Sequence, residues 1–87
     1  MCRSWYGDAM DISSAQCRAA RALVNMKQQD LADASRVSKR TIVNFELDAA
    51  KPVPSTLDAL RRALETAGVE FIPENGGGVG VRLKSPG

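Results

Sequence analysis

Histidine is absent from the 87 residues of this chain. That removes the usual proton shuttle of enzyme catalysis and the commonest metal ligand. Cysteine is scarce, with only Cys2 and Cys17, and two sulfurs do not complete a structural zinc site, which usually needs four nitrogen or sulfur ligands. No apolar run approaches the roughly 18 residues of a membrane-spanning helix. The start lacks the apolar central region of a secretory leader. A cytoplasmic location is therefore expected, and in that reducing compartment a Cys2–Cys17 disulfide is disfavoured. A phosphate-cradling Gly-Lys-Thr/Ser loop is missing as well. Gly76-Gly77-Gly78 has no following helix or basic residue and reads as a turn. Asp30 and Asp33 are spaced for paired carboxylates, but they suit the positive end of a helix better. No catalytic residue, metal or cofactor is expected.

What is present fits one small domain, a size that is marginal alone and gains from dimerisation. The net charge of +2 does not by itself suggest nucleic acid. The distribution is more telling. Arg36, Lys39 and Arg40 fall in a stretch without acids, whereas Asp8, Asp11, Asp30 and Asp33 lie elsewhere.

Residues 1–11 show no periodicity and read as a flexible arm, although Arg3, Trp5 and Tyr6 could touch DNA or a partner. A first helix is expected over Ser14–Asn25. Ser13 and Gln16 form a capping box, Ile12 and Cys17 stand where a hydrophobic staple pairs, and Cys17, Ala20 and Val24 form the buried stripe. Cys17 thus reads as a small core residue. A second helix is expected over Gln28–Ala34, with Leu31 inward. Ser35-Arg36-Val37 is too brief for more than a tight turn. The third helix, Ser38–Asp48, is capped by Ser38. Val37, Ile42 and Phe45 face inward and leave Lys39, Arg40, Val43 and Asn44 outside. Pro52 and Pro54 stop its continuation. A fourth helix is expected over Thr56–Ala67, with a Ser55–Asp58 capping box and Gly68 past its end. Its stripe is Leu57, Leu60, Ala63 and Leu64, and Arg61, Arg62 and Glu65 form its solvated face. Beyond Gly68 the period changes. Val69–Ile72 and Val79–Leu83 around an Asn-Gly turn signal read as a β-hairpin, which must pack on the helices or pair with a second copy. The alternative is a glycine-rich tail without register. Residues 85–87 read as frayed.

Helix, tight turn and cationic helix is the layout of a helix-turn-helix. The run Met26-Lys-Gln-Gln-Asp-Leu-Ala-Asp-Ala-Ser-Arg-Val-Ser-Lys-Arg-Thr-Ile-Val-Asn-Phe-Glu resembles the signature of the phage repressor and Cro-like (XRE-type) proteins. Gln28, Leu31, Ala32, Val37, Ser38, Thr41, Ile42, Phe45 and Glu46 match without a gap, and Pro52 and Leu57 extend the match. The resemblance covers about Ile12–Gly68. It implies a mainly α fold: a compact bundle of four to five helices, here with a C-terminal β-hairpin appended. Three positions depart from the pattern. Arg36 replaces a turn glycine, which strains a residue at positive φ. Ser35 replaces a larger apolar residue, and Lys27 replaces a small capping residue.

The same resemblance implies roles. Lys39, Arg40 and Asn44 match base-reading positions, and their chemistry suits guanine or adenine edges. Val43 could meet a thymine methyl. Gln28 matches a position that contacts the DNA backbone and braces the recognition helix; its other reading is an ordinary polar helix start. Thr41, with Lys27 and Arg36, would hold phosphates. Which cation reads a base and which holds phosphate stays open. Glu46 matches an acid paired with an arginine of the first helix, here Arg21. The leading expectation is a sequence-specific transcriptional regulator, a homodimer on palindromic double-stranded DNA, joined through the fourth helix, the hairpin or both. The alternative is an antitoxin-like module of the same fold, controlled by a regulatory partner protein.

Overall fold

The computed structural model describes residues 12–72 and 79–84. The expected arm (1–11), the expected glycine-rich turn (73–78) and the expected frayed end (85–87) lie outside them. Among the described residues four helices are followed by two strands: α1 (Ser14–Leu23), α2 (Gln28–Ser35), α3 (Lys39–Glu46), α4 (Pro54–Ala67), β1 (Val69–Ile72) and β2 (Gly80–Leu83).

The capping box of α1 is formed. Ser13 Oγ accepts from the Gln16 amide at 3.0 Å, and Gln16 Oε1 accepts from the Ser13 amide at 2.9 Å. The helix ends at Leu23, two residues short of the expected Asn25. Asn25 takes a left-handed φ of 56°, a conformation that asparagine tolerates, and the Met26 amide turns back to the Arg21 carbonyl at 2.9 Å. Helix α2 starts at Gln28 without a side-chain cap from Lys27. Its third residue compensates in part, because Asp30 Oδ2 accepts from the Lys27 amide at 3.0 Å. Ser35 closes the helix locally. Its hydroxyl donates to the Leu31 carbonyl at 2.6 Å and accepts from the Val37 amide at 3.3 Å.

Helix α3 begins under Ser38, whose Oγ accepts from the Thr41 amide at 3.2 Å. It stops at Glu46, shorter than the expected Ser38–Asp48. Leu47 is its cap, Asp48 adopts a φ of 61°, and the Ala49 amide donates to the Asn44 carbonyl at 2.8 Å. The start of α4 also differs from expectation. Pro54 opens the helix behind Val53, as a proline can because its ring pre-sets the helical φ and its missing N–H is not needed there. Ser55 is consequently inside the helix, and the Ser55–Asp58 capping box does not form. Asp58 instead pairs with Arg61 and, at 2.8 Å, with Arg62. Arg61 is not a solvated residue: its side chain is 15% exposed and bridges Asp58 and Glu65, whereas Arg62 is 73% exposed. Gly68 ends α4 at a φ of 116°, as the sequence predicts.

The strands pair antiparallel, with Val69 opposite Leu83 and Ile72 opposite Gly80. Lys84 donates its amide to the Gly68 carbonyl at 2.8 Å and closes the open end. The hairpin lies on the helices, β1 against α4 and β2 against α1. Gln16 serves a second purpose here, because its Nε2 donates to the Gly80 carbonyl at 3.0 Å. The core runs continuously from Ile12, Cys17 and Ala20 through Leu31 and Ile42 to Leu60, Leu64 and Val69. Val24, Val37 and Ala63 are half-buried at its margin.

Candidate nucleic-acid interface

Helix α3 is eight residues long and divides cleanly. Ile42, Phe45 and Glu46 are buried. Lys39 and Arg40 are exposed, and Val43 and Asn44 are half-exposed beside them. These four outward positions follow the helical period, one turn apart, so their side chains share a face. Arg36 sits just ahead of that face at a φ of 62°. Its left-handed backbone lets the chain turn from α2 into α3 within three residues, the strain foreseen from the missing glycine. Lys27 is exposed at the start of α2. From Ala34 to Phe45 the sequence holds no acid, whereas α2 carries the exposed Asp30 and Asp33.

Two of the expected phosphate residues already have intramolecular partners. The Thr41 and Ser38 hydroxyls share a hydrogen bond of 2.8 Å. Gln28 Nε2 donates to Glu46 Oε1 at 3.0 Å, which links the start of α2 to α3.

Glu46 is the hub that orients α3. Arg21 grips its carboxylate with both arms of the fork, each at 2.7 Å, and donates a third bond to the Met26 carbonyl at 3.1 Å. Cys17 Sγ donates to Glu46 Oε2 at 3.2 Å. Burial opposes the Glu46 charge, but the bonds from Arg21, Gln28 and Cys17 outweigh it and hold the carboxyl below its ordinary range. Glu46 in turn raises the Arg21 guanidinium above its usual value. Cys17 is fully buried, as its reading as a core residue requires. Burial, then the hydrogen bond to Glu46 and its negative charge, push the thiol up to about 12, far from the range of a reactive thiolate.

Two further contacts at this end of α3 were not read from the sequence. The Arg18 guanidinium donates to the Glu46 main-chain carbonyl, and Ser14 Oγ donates to Asp48 Oδ1 at 2.6 Å. Their spacing carried the signal. Ser14, Arg18 and Arg21 fall four and three residues apart, on one stripe of α1.

A helix-turn-helix family model matches residues 18–71. The chain belongs to the XRE-type helix-turn-helix family. It is thus a DNA-binding helix-turn-helix regulator, and DNA is its partner. This family is one of DNA-binding regulators that are typically not enzymes. The match starts within α1, at one of the residues that hold Glu46, and ends within β1; β2 lies past it. No curated protein matches the chain. Among the described residues no cluster of acids and cysteines could hold a metal ion, and no helix is long and apolar enough to cross a membrane.

Proposed function

We propose that this helix-turn-helix protein is a sequence-specific transcriptional regulator that binds a palindromic operator as a homodimer, with α3 in the major groove. The observation that carries this reading is the outward face of α3, where Lys39, Arg40, Val43 and Asn44 pair with no acid among the described residues while Glu46 is held by Arg21. Arg and Lys suit guanine O6 and N7, Asn suits adenine N6 and N7, and Val suits a thymine methyl. Lys27, Arg36, Thr41 and Gln28 border that face and serve as phosphate contacts, which fix register without specifying sequence. The start of α2 helps, since a helix N-terminus favours an anion. One recognition helix reads few base pairs. A two-fold dimer doubles them, with half-sites about 34 Å apart.

The test is fluorescence anisotropy on a duplex that the protein selects from a random-sequence pool, against a scrambled duplex, at two salt concentrations. Tight, salt-sensitive binding that prefers the selected duplex supports the reading. Failure to enrich any duplex overturns it. Sedimentation equilibrium checks the dimer.

A second reading, a module controlled by a partner protein, is favoured by the hairpin. A sheet of two strands offers an edge to which a partner strand can add. Under that reading, a partner chain changes DNA affinity only when β1 and β2 are present.

A further inference from the structure

The grip of Arg21 on the Glu46 carboxylate reaches α3 only through a flexible side chain. It ties the carboxylate of Glu46 and leaves the main chain of that residue to other partners. Arg18 acts at a different point. It holds the main-chain carbonyl of the same residue, one of the last carbonyls of α3, which have no partner within the helix. Cationic donors are favoured at that negative helix end. Ser14 adds a third attachment just past the helix, at Asp48. Side chain, main chain and exit of α3 are therefore all tied to one stripe of α1.

We propose that Arg18 is a positioning residue for DNA recognition: by holding the Glu46 carbonyl it fixes the angle of α3 against α1, and so the reach of Asn44 and Arg40 towards base edges. Asn44 lies two residues before Glu46, and a small rotation about this end displaces it sideways in the groove. Bidentate base contacts depend on alignment, whereas phosphate contacts tolerate sliding. The role therefore concerns specificity more than affinity. It rests on the base-reading proposal above.

The experiment uses the full chain and two substitutions, Arg18→Met, which keeps the apolar stem and loses the donors, and Arg18→Lys, which keeps a charged donor. The probes are the selected and scrambled duplexes. Preference for the selected duplex should fall about tenfold in Arg18→Met, the scale of one misaligned bidentate contact, with the salt slope unchanged. Arg18→Lys should recover most of it. An unchanged preference overturns the inference. Equal weakening on both duplexes with a salt slope lower by about one makes Arg18 a phosphate ligand and also overturns it. A lower melting temperature with full preference retained in the folded protein shows only a structural brace, and is equally fatal. If the unsubstituted protein shows no preference, base reading itself fails, an outcome distinct from failure of the Arg18 role.

Discussion

Arg21 and Glu46 meet fork to fork, Nε on Oε2 and Nη2 on Oε1, both at 2.7 Å. The Glu46 side chain is 3% exposed and that of Arg21 20%. The pair joins α1 to α3 across 25 residues of sequence, while Lys39 and Arg40 of α3 stay exposed.

Removing one partner of this pair strands the other in a poorly solvated place. Glu46→Ala is expected to cost about 3 kcal/mol, the scale for a one-sided break of a buried ion pair. For a domain of this size that lowers Tm by on the order of 15 °C. Thermal unfolding followed by circular dichroism measures it. An unchanged melting curve refutes the pairing.

Acid should act through the same carboxyl. Glu46 ionises more readily folded than unfolded, so its contribution is complete above its ordinary value of 4.5 and is lost as pH falls through the lower folded value. The Glu46→Gln variant should therefore lose less stability than the parent between pH 5 and pH 3 (roughly the titration range of such a carboxyl). Parallel acid limbs in urea titrations would remove Glu46 from this role.

Base acts through Cys17 with the opposite sign. Its thiol is raised from 9.0 to about 12 in the fold, so its stabilising effect is full below pH 9 and declines as pH rises towards 12. Cys17→Ala should be less stable at pH 7 but flatter across that alkaline range. Alkylation of Cys17 in the native protein should keep pace with global unfolding; rapid labelling at neutral pH contradicts the burial.

Arg36 stands at a φ of 62°, where glycine is unstrained. Arg36→Gly is expected to stabilise the fold by about 1 kcal/mol and to weaken binding to every duplex alike, with a salt slope lower by about one if Arg36 holds a phosphate. Stability and salt dependence are measured separately. A gain in stability with an unchanged slope leaves the strain account and removes the phosphate contact.

The outward face of α3 divides by role. Asn44→Ala should cost about 1–3 kcal/mol on the selected duplex and little on a scrambled one. Lys27→Ala should weaken both equally. The reverse pattern, read by anisotropy, exchanges the two roles.

Much of this molecule is legible in the order of its residues, because its determinants are local. Ser13 with Gln16, and Ser38, cap their helices through bonds that span three positions. Ile42 and Phe45 repeat at the helical period and so must face the core. Gly68 ends a helix because its backbone alone accepts a φ of 116° without strain. The two-sided character of α3 follows from the same periodicity, and the Arg21–Glu46 pair was implied by resemblance. Tertiary structure decided what depends on distance. Ser55 looked like a cap until Pro54 took the first turn, and Asp58 then found Arg61. Gln16 reaches 64 residues along the chain to Gly80, and Arg18 reaches 28 to the Glu46 carbonyl. A local pattern can specify a helix and its faces, since those arise from neighbours three and four residues apart. It does not specify the angle at which two helices meet, since that is set by groups the chain brings together only on folding.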